Sequence, residues 1–600
     1  MARTPEIDRV KQDQRQCADA DKIFKEWSDK YKCDQLEDYY YGHQAKADDG
    51  YVINMFYPSV NIAKPSMMFQ LPKYKVTARP NRSDDPMSDV EMRAKLQEYT
   101  LNTFVQDPDL GFETEVGLAI TEAFFRFGVV QVGYTADFID NPNADRPMLK
   151  DGTNDPMLDS TGHPVMQPRA TLTNESLFLK WIHAKQVRVS SRSTNRTSAC
   201  DWVAYFEWHY PADLKANKKY KNTKDIQPTG RLKGERERTG DGEESRPGMA
   251  KVWFKWDLRA KQKRVFAEGA EKYFLEEPFE FLPFAVLKFD EILGQWLPLP
   301  PTYNWKPPQD ELNDTREMQR IHRKRAKRFY GRRPSVTEDE FNKLLSGEDM
   351  TCIVMNNPET DIAPIKDAPL DPAVARNIPQ SQDDFQRISG ISGEAQQVAQ
   401  SETATQANLI ALASKVREAS RRVVVGKFLN EIGRIILMTI RANMALPVWI
   451  QKAVDPTSPM AVQEAQEVAY LWEQISNKDL GEIDNDITVD LSSMSPIAQE
   501  QERDSWLAFL QIMTSPAIGT MLAVSPPLME KTAGLFNIHS DRDLQNVGQA
   551  LQMMAMLQAQ QAMGGGAPGG KPGEAAPGPT PSNADITAQL TEQLPVEATQ

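Results

Sequence analysis

Between Arg316 and Arg333 the chain places nine cations, Arg316, Arg320, Arg323, Lys324, Arg325, Lys327, Arg328, Arg332 and Arg333, against a single acid, Glu317. At 100° per residue, Arg316, Arg320, Arg323 and Lys327 fall on one narrow helical stripe, with Met318, Ile321 and Phe329 roughly opposite. Such a stripe suits contact with phosphate oxygens without readout of base edges. The same pattern also suits a solvated helix face with no ligand. A helix this polar needs neighbours to be stable, because propensity alone does not hold a short helix in water.

Other chemistry is sparse. Gly565 followed by Gly570-Lys571 has the spacing of a phosphate loop, but Pro572 stands where a Ser or Thr would hold magnesium, and no strand precedes it. There is no HExxH, GxSxG or GxGxxG. The six histidines (43, 163, 183, 209, 322, 539) are far apart, so no local metal pair exists. Acids are abundant enough to assemble a carboxylate site in space, which sequence order does not reveal. The expectation is no catalytic residue, no bound metal and no cofactor.

The 600 residues suggest several domain-sized units, and 40% apolar with 26% charged residues is ordinary for a globular protein. Cys17, Cys33, Cys200 and Cys352 are scattered, which argues against a disulfide framework and suits a reducing cytosol. The segment "MARTPEIDRVKQDQRQCADADKIF" lacks the apolar core of a secretion signal. The densest apolar run, "RIILMTI", is far short of a membrane span, so no membrane insertion is expected. A net charge of −14 disfavours general coating of nucleic acid and leaves room for local basic segments.

The elements that must position the cations read as an α+β chain, predominantly helical. The first 45 residues have helical spacing, and prolines at 58, 65, 72 and 80 divide the next stretch into short pieces. Residues 91 to 127 look helical, "FGVVQVGYTADF" reads as a strand, and 141 to 164 are turn-rich. "CDWVAYFEWHY" and "KVWFKWDL" alternate with period two, predicting half-buried antiparallel strands, with Trp253 breaking the second pattern. The charged, Gly-containing segment between them reads as an extended loop.

"PPQDELNDTREMQRIHRKRAKRFYGRRP" starts with helix-compatible prolines and ends at Gly331 and Pro334. A small mixed unit follows, with helix "TEDEFNKLL" and strands "TCIVM" and "DIAPIKD". A helix over 372–389 and a polar loop come next. A Thr403–Gln406 capping box then opens a rod of about 40 residues, on the order of 60 Å. On that rod Ala419, Gly426 and Gly433 recur every seven residues and would admit a close neighbour. The region after 447 reads as strand "DITVDL" plus several helices, and 564–600 is Gly/Pro/Ala-rich and predicted disordered.

Six segments, in this order, give the chain a resemblance to a known family. They are "YYYGHQ" (39–44), "YVINMFYPSV" (51–60), "FGVVQVGY" (127–134), "LPFAVLKF" (282–289), "PPQDELNDTREMQRIHRKRAKR" and "ISGISGEAQQVAQSETATQANLI". Together they resemble tailed-bacteriophage portal proteins, the ring through which DNA enters and leaves a capsid. The likeness spans most of residues 20 to 445 and is weak over 135–175, near 240 and after 450.

The resemblance implies a wing over 1–306, a stem helix over 307–334 and a clip over 335–371. It further implies a returning stem helix over 372–389, a tunnel loop over 390–402, a long wing helix over 403–446 and a crown-like helical region over 447–563. In that scheme Gln396, Gln397, Gln400 and Ser401 of the loop would touch passing duplex DNA weakly. Arg316, Arg320, Arg323, Lys324, Lys327, Arg328, Arg332 and Arg333 would make stem and clip contacts. The chain would be a non-enzymatic homo-oligomer, typically twelve-subunit. It would sit at the portal vertex of the virion, and in host cytoplasm during assembly. Its partners would be double-stranded DNA, the terminase large subunit, a major capsid or scaffolding protein and a head-tail adaptor. Rival readings from the residues are a metal-dependent DNA-processing enzyme and a cytosolic helical scaffold protein.

Overall fold

The computed structural model describes residues 6–44, 51–79, 87–141, 170–190, 195–224, 226–229, 248–325, 329–346, 351–365, 371–390, 404–453, 470–476, 479–480, 485–490 and 507–509, with isolated positions between. The chain divides into two compact units, Met1–Gln499 and Glu500–Gln600. In the second, the helical residues 507–509 are described.

The first unit opens on α1 (Glu6–Tyr31), whose Val10, Cys17, Ala20, Phe24 and Trp27 share one buried face. Lys32, at φ 52°, ends it and starts α2 (Cys33–Tyr40). In α3 (Phe56–Met67), Pro58 occupies the first turn, where no helical acceptor is lost, and Pro65 lies in the last turn. Two of the four prolines predicted to fragment this stretch, Pro58 and Pro65, therefore sit inside one helix, while Pro72 lies between α3 and β1. After β1 (Tyr74–Thr77), the helical run near 91–127 splits into α4 (Met87–Gln106) and α5 (Phe112–Ala123). The Asp107 carboxylate accepts Asp109 N–H at 3.0 Å, and Gly111 takes φ 62°, which breaks the run.

Two antiparallel sheets follow. β2 (Gly128–Asp140) lies between β3 (Ala170–Trp181) and, later in the chain, β9 (Phe284–Leu287). The second sheet has the order β4 (Val187–Val189), β5 (Trp202–His209), β6 (Ala250–Asp257), β7 (Gln262–Ala267) and β8 (Leu275–Pro278), with α6 (Pro211–Ala216) leaving β5. The period-two reading is right about pairing: Tyr205 opposes Phe254 and Val203 opposes Trp256. It is wrong about exposure. Trp253 packs with Trp202, Phe266 and the Val10–Ala20 face of α1, while Val203, Tyr205 and Trp256 face Phe127, Phe284 and Trp296. Both faces are covered, and the exception at Trp253 is the side chain that meets α1.

α7 (Lys306–Arg325) and α9 (Pro372–Ser389) run antiparallel, and between them come β10 (Phe329–Arg332), α8 (Glu338–Ser346) and β11 (Ile362–Ile365). The stem helix predicted over 307–334 is thus shorter, ending at Arg325. Extending it would add like charges at Lys324–Arg328 and Arg323–Lys327, each i,i+4 pair unfavourable by a few tenths of a kcal/mol. Phe329 to Arg332 pair instead with Ile365 to Ile362. The predicted strand "TCIVM" is irregular, and its Val354 is 73% exposed.

α10 (Ala404–Asn443) is one 40-residue helix, and Thr403, its predicted cap, lies outside the described residues. Val425, Phe428, Leu429, Ile432, Ile436 and Ile440 bury one side of it against α3, α4, β1, β2 and β9. Each such side chain contributes about 1.5–3 kcal/mol of burial as an upper bound. Of the seven-residue repeat, Gly433 makes the close approach. A Cβ there would stand 2.5 Å from the Tyr74 ring, whose hydroxyl donates to Leu429 O at 2.8 Å. Ala419 is exposed.

Beyond α10 come β12 (Val448–Ala453), β13 (Tyr470–Ile475) and β14 (Asp486–Val489). The first part of the predicted helical crown is therefore strand. β12 pairs with β13, and β14 pairs with β1, about 410 residues earlier, Tyr74 opposite Val489. The predicted disordered tail lies outside the described residues. The architecture is α+β with several small sheets around α10.

Candidate nucleic-acid interface

α7 begins after a 3-10 turn, Pro301–Trp305, with Pro307 and Pro308 in a first turn whose N–H groups have no helical acceptor. Its first half is clamped. Gln309 accepts Met55 N–H at 2.9 Å and donates to Ile53 O at 2.6 Å, while Asn313 accepts Ile53 N–H at 3.0 Å and donates to Gln44 at 2.7 Å. Leu312 and Trp305 are buried with Phe385 of α9. α9 starts at an Asp371 cap on Ala373 N–H, 2.9 Å, and ends at Gly390, φ 74°. Asn377 of α9 reaches Glu311 and Thr315 of α7. These contacts fix a helix pair whose α7 carries all its cations except Lys306, which pairs with Asp310, on the half away from the clamp.

The predicted basic residues divide by environment. Arg316 is partly buried, and its Nε meets no partner among the described residues. Arg320 donates to Glu317 at 2.9 Å, and Glu317 also accepts Tyr51 N–H at 3.2 Å. Donation from Arg320 holds the Glu317 carboxyl below the usual carboxylate range. The stripe therefore has one of its cations engaged within the chain. Arg323 and Lys324 are exposed.

Lys327 and Arg328 lie outside the described residues. Arg332 and Arg333 are not helical. Arg332 lies on β10, bonded to Val336 O at 3.3 Å and 5.8 Å from the Phe341 ring, and Arg333 is exposed just after it. Phe329, expected opposite the stripe, is on β10 as well. Met318 and Ile321 do lie on α7, 53% and 38% exposed.

Gln396, Gln397, Gln400 and Ser401 of the predicted loop lie outside the described residues. Its flanks are drawn together: Arg417 of α10 donates to Arg387 O of α9 at 2.8 Å, beside Gly390. α10 therefore starts 13 residues, about 20 Å, before that contact. Sequence reasoning missed the Glu317–Arg320 pair, although i,i+3 spacing signals it.

No family model matches the chain, and no curated protein matches it. Among the described residues no three His, Cys, Asp or Glu side chains gather as metal ligands would, and no helix is long and apolar enough to cross a membrane. Cys17, Cys33 and Cys200 are buried, and burial pushes the thiols of Cys17 and Cys33 up to about 12.

Proposed function

We propose that this chain is a portal protein: a homo-oligomeric ring at one capsid vertex that conducts duplex DNA during packaging and ejection. The observation that carries the reading is the α7–α9 pair. It bears a small β10–α8–β11 unit at its far end and leads, through a loop, into the 40-residue α10. Supporting it, α7 exposes Met318 and Ile321 beside Arg323 and Lys324, apolar and cationic groups that copies side by side would cover and aim at a shared axis. The chain has no nucleotide-hydrolysis motif, so the energy for translocation comes from a packaging ATPase, the terminase large subunit. A capsid or scaffolding protein and a head-tail adaptor are the remaining partners, and the virion vertex is the destination.

Negative-stain images of purified full-length protein should show closed rings. A single monomeric species under all assembly conditions would end this reading.

Within it, replacing Arg320, Arg323 and Lys327 by Gln should lower the yield of DNA-filled particles by roughly tenfold, since each lost phosphate contact weakens non-specific holding. Arg323→Gln alone should account for more of the loss than Arg320→Gln, because Arg320 is already engaged by Glu317. Filled-particle counts by sedimentation measure both, and unchanged counts in the triple variant would remove the basic segment from the mechanism.

A further inference from the structure

A second cluster of exposed cations in the first unit lies away from α7. Segment "KANKKYKNTK", residues 215–224, holds five lysines and no acid, between Asp213 and Asp225. All five, Lys215, Lys218, Lys219, Lys221 and Lys224, are exposed, and among the described residues none forms an ion pair. The neighbouring strands use their cations differently. Lys251 meets Asp21, Lys255 meets Asp13, Lys263 meets Glu277, and Arg264 meets Asp13 and Asp257.

The lysine turn is pinned from beneath. Leu214 is buried against Val252, Val265 and Phe274, and Tyr220 and Ile226 pack on the same cluster. Lys221 N–H donates to Phe274 O at 2.8 Å, and Asn222, in the left-handed region at φ 59°, donates from its side chain to Tyr273 O at 3.1 Å. Lys219 N–H is capped by the Asn217 side chain at 3.0 Å. Three apolar anchors thus hold the backbone while five ammonium groups stand in water. In a chain of net charge −14, this is a fixed cationic surface that forms no ion pair among the described residues.

We propose that this turn is a second nucleic-acid contact, separate from α7, which binds the phosphate backbone of duplex DNA without sequence preference. Lysines suit that role as hydrated point charges that neutralise phosphates and release counterions, with no fixed fork to select a geometry. The contact does not depend on ring formation.

The test uses full-length protein and a short random-sequence DNA duplex, with binding read by fluorescence anisotropy across a salt series. Changing the five lysines to Gln should weaken binding at least tenfold near 0.1 M salt. It should also flatten the slope of log affinity against log salt by about 4.5, from five contacts at about 0.9 each. Changing them to Arg should retain both. Duplex should protect the same five lysines from acetylation in the unaltered protein, a measurement that stands even where the Gln variant misfolds. Equal affinity and slope in a folded Gln variant, absence of protection, or a parent protein that binds polyglutamate but no duplex would each overturn the proposal.

Discussion

Replacing Asp13 with Ala is expected to destabilise the first unit by about 3–5 kcal/mol, because it leaves a buried ammonium without its anion. Asp13 is 4% exposed and sits where α1 crosses the second sheet. Its carboxylate accepts from Lys255 Nζ at 2.7 Å, Tyr273 Oη at 2.8 Å and Arg264 Nη1 at 3.3 Å. Lys255 itself is 1% exposed, and Gln16 and the face of Trp202 are its other neighbours. Arg264 keeps Asp257 and Glu276, so the cost falls mainly on Lys255.

Urea unfolding followed by tryptophan fluorescence measures the loss. Exchanging both partners, Asp13→Leu with Lys255→Met, should recover most of it, since a well-packed apolar pair replaces two desolvated charges. A single-variant loss below about 1 kcal/mol would mean that the ammonium reaches water when its partner goes.

Trp305→Ala is expected to cost a similar amount, about 3–5 kcal/mol, through the cavity it leaves. Trp305 is 1% exposed, with the rings of Phe56 and Phe385 each 5.7 Å away and that of Phe124 6.1 Å away. It is the buried link between α3, the end of α5 and the helix pair. The loss should therefore be spatially specific. Limited proteolysis should cut first between Pro372 and Gly390, and the rings proposed above should be lost before the far-ultraviolet circular dichroism changes. Unaltered proteolysis and intact rings would mean that the polar clamp of Gln309 and Asn313 holds α7 without Trp305.

How much of this was legible beforehand varies by element. Local pattern sufficed for α1, β2, β5, β6, α9 and α10, because each carries a run of apolar residues at one period. The basic segment was visible as composition. Its division into engaged Arg320, exposed Arg323 and strand-borne Arg332 was not, because that depends on where α7 ends and which strand Phe329 finds. The lysine turn at 215–224 was written as openly as the basic segment. What was hidden is that those lysines form no ion pair among the described residues, while Lys251, Lys255 and Lys263 each meet an acid.

The sequence by itself determined α1, β2, β5, β6 and α9 as elements, the length of α10, and where positive charge is concentrated. Those follow from interactions within a few residues along the chain, which side-chain type and spacing specify directly. Only the tertiary structure decided that β1 pairs with β14, that both faces of the β5–β6 pair are covered and that Lys255 is buried on Asp13. The β1–β14 pairing and the Lys255–Asp13 bond join residues more than 200 positions apart. Their free energy comes from removing apolar surface and charge from water together, which no local spacing encodes.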